Sequence, residues 1–146
     1  MRTHRVRRAW VVAVFGVVSG CGRTTTSAPT PPPSPIRQVV TAGTFVSPAL
    51  FSRPITLTTT GSGQLDITVG WTFASNTIWV DLAPSTCTLA LYTTTGCMLL
   101  YSDHTTVTAP QKTHSVVALP AGSYVLWIDN LGPANESISF EIDLTS

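Results

Sequence analysis

Two histidines, His104 and His114, stand close to Asp103 in the second half of the chain. An imidazole beside a carboxylate is the pairing that activates a hydroxyl nucleophile or, with a third ligand, holds a zinc ion. Hydrolysis would need a serine or cysteine brought to one of these rings, and no Gly-x-Ser-x-Gly elbow lies beyond residue 21. For zinc, Asp103, His104 and His114 could supply three ligands, but their spacing matches no compact ligand motif, so neither a metal nor any other cofactor is expected. Glu141 and Asp143 alternate along one strand-like run, which sets them about 6.8 Å apart on one face and reads as a solvated outer surface rather than an acid/base pair. A hydrolase built from loop residues near His104 and His114 is therefore an alternative. The primary reading is non-catalytic.

The tryptophans carry more information. Trp71 shares its parity with Leu65, Ile67 and Val69, which makes it a core residue. Trp79 and Trp127 have the opposite parity to Ile78, Val80 and Leu82 and to Leu126 and Ile128. On simple alternation both point away from the core, where an indole stacks on a sugar ring or anchors a protein contact. The alternatives are a loop that covers each ring, or the two packing as a cross-strand pair. Val125, Trp127 and Asp129 also make a plausible inner face if Asp129 turns into the turn that follows.

Such residues need elements to hold them, and the chain supplies strands. Leu65–Trp71, Ile78–Leu82, Tyr124–Asp129 and Ile138–Leu144 alternate apolar with polar residues at period two. Weaker strand candidates are Val39–Thr41, Thr44–Val46, Ile55–Thr59, Leu89–Tyr92, Met98–Tyr101 and Ser115–Leu119. Turn clusters such as Gly61-Ser62-Gly63, Thr95-Gly96 and Pro120-Ala121-Gly122 separate them, and no segment carries a helical apolar stripe. Strands and turns at this density predict an all-β fold, a single antiparallel β-sandwich of jelly-roll type. Gly63-Gln64-Leu65 leading to Trp71, Val80-Asp81-Leu82, and Leu119-Pro120-Ala121-Gly122-Ser123-Tyr124 resemble the bacterial pre-peptidase C-terminal domain, over roughly Ser52 to Leu144. The resemblance implies a jelly-roll-like sandwich of the kind appended to secreted proteases and other exported proteins. The acidic run that precedes that family's central strand is reduced here to Asp81, which weakens any calcium site the resemblance would bring.

The first 37 residues read differently. Arg2, Arg5, Arg7 and Arg8 precede an apolar run from Ala9 to Val18, too short to span a bilayer core, and Ser19-Gly20-Cys21 follows it. This resembles the lipobox of bacterial lipoproteins. The resemblance implies cleavage after Gly20, a diacylglycerol joined to the thiol of Cys21 with palmitate among its acyl chains, and a domain held at the extracytoplasmic side of the cell envelope. Gly22 to Arg37 is rich in Thr and Pro and makes a semi-rigid polyproline II spacer of up to about 50 Å. The organisation read from sequence is thus a signal peptide over 1–20, lipidated Cys21 and a linker over 21–37, and a sandwich domain over 38–146.

The formal charge of +1 belongs to the whole chain, with eight basic and seven acidic residues. Beyond residue 20 only Arg23, Arg37, Arg53 and Lys112 face all seven acids, a balance of −3 with no basic cluster, which argues against nucleic acid. Of three cysteines, lipidation of Cys21 leaves Cys87 and Cys97 as one pair in an oxidising compartment. A hairpin turning at Thr93-Thr94-Thr95-Gly96 would hold their Cα atoms some 17 Å apart, whereas a disulfide needs them within about 7 Å. The disulfide takes precedence, and it predicts a closed loop from Thr88 to Gly96 at the sandwich edge. Together these features predict an envelope lipoprotein whose sandwich binds a glycan, a peptide or another envelope protein. A structural or assembly subunit without its own ligand is the other non-catalytic reading.

Overall fold

The computed structural model describes residues 30–104 and 111–146, the side chains of residues 113–118 excepted. Cys21, the signal segment and most of the spacer lie outside the described residues. Residues Pro33–Ser146 form one compact unit. Its strands are β1 (Arg37–Ser47), β2 (Phe51–Thr59), β3 (Gly63–Trp71), β4 (Ile78–Pro84), β5 (Tyr101–Asp103), β6 (Gln111–Leu119), β7 (Gly122–Asn130) and β8 (Glu136–Thr145), with one short helix, α1 (Leu89–Thr93), between β4 and β5. They form two four-stranded antiparallel sheets, ordered β1-β8-β3-β6 and β2-β7-β4-β5. Every connection except β4 to β5 crosses between sheets, which is the strand order of a jelly roll. The all-β sandwich expected from the alternation is the fold observed.

Alternation determines the core. Leu65, Ile67, Val69 and Trp71 of β3 meet Ile138, Ile142 and Leu144 of β8 on one inner face. Ile78, Val80 and Leu82 of β4, with Tyr124, Leu126 and Ile128 of β7, supply the other. Each of the aliphatic side chains contributes about 1.5–3 kcal/mol on leaving water. Tyr124 satisfies its hydroxyl by donating to the Pro120 carbonyl at 2.6 Å, closing the turn into β7.

Several local expectations are corrected. Val39–Thr41 and Thr44–Val46 belong to one strand, β1, bent by an irregularity between Val39 and Thr41. β1 begins at Arg37, and Ile36 exchanges backbone hydrogen bonds of 3.1 Å with Ser146. Arg37 also pairs with Glu141 at 3.5 Å and with Asp143. Asp143 is buried rather than solvated, because β3 places Asp66 directly opposite it and Arg37 closes over it. Glu141 is exposed, as the alternation has it. Leu89–Tyr92 is not a strand: it lies within α1, whose first turn is capped by the Thr88 hydroxyl accepting from the Leu91 N–H. Met98–Leu100 is irregular, and only Tyr101–Asp103 pairs with β4.

The reason for both changes is the disulfide between Cys87 and Cys97, with Cα atoms 5.4 Å apart. A hairpin turning at residues 93–96 would hold these Cα atoms some 17 Å apart, so that register and the disulfide exclude each other. One helical turn uses the chain more compactly. It ends with the Gly96 N–H on the Leu91 carbonyl at 2.8 Å and the Thr95 N–H on that of Tyr92 at 3.3 Å, a Schellman-type stop. That stop puts Thr95 at φ 57°, left-handed backbone that a β-branched residue rarely adopts.

Candidate functional site

The outer face of the β2-β7-β4-β5 sheet carries a twice-written tripeptide pattern, Trp79-Val80-Asp81 on β4 and Trp127-Ile128-Asp129 on β7. Antiparallel pairing sets Trp79 opposite Asp129 and Asp81 opposite Trp127. Period-two alternation then places all four side chains on one face as a checkerboard. Ser52 of β2 adjoins Asp129, and Ser102 of β5 adjoins Asp81.

The disulfide-closed segment between β4 and β5 folds over half of this face. Tyr92, from α1, lies flat on Trp127 with ring centroids 4.6 Å apart and planes within 4°. With Ala83, Cys87, Val125 and Cys97 the two rings make a second, smaller apolar cluster outside the main core. Trp127 is consequently 2% exposed. The alternation placed its side chain on the correct face, but the expected opening to solvent is overturned by the lid above it. Trp79 remains partly exposed and stacks on His104, with centroids 3.9 Å apart and planes 11° apart. The two tryptophans thus differ: one is covered and the other borders open space.

Beyond the edge of the lid lies a cleft of about 360 Å³, bordered by Trp79, His104, Tyr92, Thr93, Thr95 and Leu99, with Asp81 and Asp129 at its base. Its polar groups are joined in series. The Tyr92 hydroxyl is 2.5 Å from one oxygen of Asp81 and 2.6 Å from one of Asp129. Nε2 of His104 lies 2.9 and 2.8 Å from the two oxygens of Asp81. The remaining oxygen of Asp129 is buried without a hydrogen-bond partner. Burial raises the Asp129 pKa above the ordinary carboxylate range and the Asp81 charge adds to that, against the opposing pull of Tyr92, Ser52 and His104. Burial likewise pushes the Tyr92 phenol far upward, reinforced by its bonds to the two carboxylates.

The arrangement contains the histidine-carboxylate pair that the sequence could only raise as a possibility, but the partner is Asp81, not Asp103. Asp103 instead pairs with Lys112 at 3.4 Å. Among the described residues no hydroxyl or thiol is hydrogen-bonded to His104, and no group of three or more His, Cys, Asp or Glu residues is arranged to hold a metal ion. The side chain of His114 lies outside the described residues; its backbone pairs with Ile67. Cys87 and Cys97 serve the site indirectly, by closing the lid. Sequence reasoning missed Tyr92, Asp81 and Asp129 as members of one site. The available signal was the repeated Trp-x-Asp pattern on two strands that a sandwich could bring side by side.

A second cleft, of about 400 Å³, crosses the outer face of the other sheet, where Thr44, Ser139, Gly70 and Gln111 form one cross-strand row. These side chains are neutral, and among the described residues no ionisable group lines the cleft.

No protein-family model matches the chain, and no curated protein matches it. Among solved structures it is similar to a carbohydrate-binding module of Cellvibrio mixtus lichenase 5A, determined in complex with cellotriose. The likeness has 11% identity and a TM-score of 0.42, and covers 74% of this chain and 85% of that one.

Proposed function

We propose that this chain is a membrane-anchored envelope lipoprotein whose β-sandwich is a non-catalytic binding module, with a glycan as ligand and Trp79 as the platform on which a sugar ring stacks. One observation carries the reading: Trp79 keeps part of its ring exposed in the cleft, where the other partly exposed aromatic, Tyr92, is laid flat on Trp127 and hydrogen-bonded to two carboxylates. An open indole beside the hydroxyl-bearing Thr93 and Thr95 and the Leu99 side chain suits a ring with one apolar face and a polar rim. Peptide and protein ligands use the same kind of anchor. Anchoring through Cys21 would leave the domain on a spacer long enough to reach an envelope polymer.

The test is binding of the full chain and of Trp79→Ala to an array of neutral oligosaccharides. The proposal expects one or more to bind, with at least about tenfold loss in the variant while its cooperative unfolding is retained. Equal binding by the two proteins would refute it. The hydrolase reading has the His104–Asp81 pair in its favour. It requires that a bound oligosaccharide or peptide be cleaved, and that His104→Ala abolish the cleavage. Lipidation is tested separately: intact mass should show residues 1–20 absent and Cys21 acylated, and Cys21→Ser should leave the precursor uncleaved.

A further inference from the structure

We propose that Asp129 keeps its proton in the folded protein and, through Tyr92, positions the disulfide-closed lid as a wall of the cleft, so that loss of this proton loosens the wall. Hydrogen-bond valence supports this. A phenol has one proton, yet the Tyr92 oxygen lies within 2.6 Å of oxygens from two carboxylates. One contact uses the phenol proton. The other needs a second proton, since two bare oxygens at that distance would repel. Asp81 receives His104 at both of its oxygens and is the better-compensated anion. Asp129 is 5% exposed, its second oxygen is buried without a hydrogen-bond partner among the described residues, and it lacks the two-oxygen contact that His104 gives Asp81, so it holds the second proton. The order is then Asp129 O–H donating to Tyr92, Tyr92 O–H donating to Asp81, and His104 N–H donating to Asp81.

The surroundings favour this assignment. β4 contributes Asp81, the lid contributes Tyr92, and His104 approaches after β5. From β2 comes the neutral Ser52. Among the described residues of the adjoining elements, the other titratable groups are Arg53 of β2, which lies over the Phe45 ring, Tyr124 of β7, which donates to the Pro120 carbonyl, Tyr101 and Asp103 of β5, and Lys112 of β6. Asp103 and Lys112 pair with each other, Lys112 also donates to the Ile78 carbonyl, and Tyr101 packs against the main core. Burial and the Asp81 charge both raise the Asp129 pKa. The sign follows: a carboxyl whose folded pKa lies above its unfolded value holds the structure with its proton on, and that contribution is lost as pH rises through the folded value.

The test is a carboxyl-carbon and tyrosine-ring NMR titration of the full chain. Asp129 should titrate above the ordinary aspartate range, and the Tyr92 ring signals should move with the same midpoint. In Asp129→Asn, whose amide donates at every pH, the Tyr92 signals should stay at their acid-side positions. In His104→Gln the Asp129 midpoint should persist. An Asp129 midpoint within the ordinary aspartate range would overturn the proposal, as would a Tyr92 transition unchanged in Asp129→Asn or abolished in His104→Gln. Should Asp129→Asn not fold, the titration of the unmodified chain decides alone. No ligand is used, so the outcome is independent of whether the cleft binds a glycan.

Discussion

Replacing Trp127 by alanine removes the surface on which the lid rests. The indole is buried beneath Tyr92 and in the cluster with Ala83, Cys87 and Val125, although alternation alone would leave it in water. Truncating a buried tryptophan costs about 3–5 kcal/mol, and loss of its stacking partner forfeits some 0.5–1.5 kcal/mol of that for Tyr92. The cluster lies outside the main core and is roofed by one closed loop, which can settle into part of the void. A cost of about 3 kcal/mol is therefore expected, a large share of the roughly 5–15 kcal/mol that holds a domain folded. Urea unfolding of full-length protein measures it, with Trp79→Ala as the internal contrast. Trp79 borders the cleft and stacks on His104, so its loss should cost less than about 1 kcal/mol. Equal, small losses for the two variants would refute the division into a covered and an open tryptophan.

Other outcomes follow from the same structure. Replacing Cys87 and Cys97 together by serine should destabilise the protein by up to about 2.7 kcal/mol through the freed loop, and limited proteolysis should then cut first between residues 88 and 97. Resistance there equal to that of the unmodified chain would mean that the disulfide is not what closes the lid. Thr95→Gly should raise stability by up to about 1 kcal/mol in thermal unfolding, since it relieves left-handed backbone at φ 57°; a lower melting temperature would contradict this. Glu136 is fully buried, and although burial alone raises its pKa, hydrogen bonds from Asn76 and from the Thr72 and Phe73 amides bring it below the usual value. The stability its charge contributes is complete above the unfolded pKa and is lost as pH falls through the lower folded value. Glu136→Gln should accordingly lower stability at neutral pH and flatten its fall on acidification, measured as melting temperature against pH.

Period-two alternation made the main core legible, because a strand buried on one face has to repeat its apolar residues every second position. Leu65 to Trp71 and Ile138 to Leu144 line the inner faces as that pattern requires. It could not reveal a second layer. Trp127 and Val125 lie on what a two-layer reading calls the solvent side, and they are buried only because a segment distant in sequence folds across them. The cysteine pair indicated that such a segment was closed but not which face it would cover. Tyr92 was hidden for the same reason: in a strand it is an ordinary aromatic, whereas on the single turn of α1 its hydroxyl reaches two carboxylates. Asp103 drew attention because it neighbours His104 in sequence. Strand register decided otherwise, pairing Asp103 with Val80 and leaving Asp81 as the carboxylate that meets the imidazole.

The central claim is that a ligand sits on Trp79 without being chemically changed. The most direct measurement is a titration of full-length, isotopically labelled protein with an oligosaccharide identified on the array, followed through the indole N–H of Trp79 and the ring signals of His104, with the ligand recovered and its mass determined afterwards. The account predicts saturable shifts at Trp79 and His104, little change at the covered Trp127, and ligand of unaltered mass. Shifts centred on the Thr44–Ser139–Gln111 face with Trp79 unmoved, or recovery of a cleaved ligand, would contradict it.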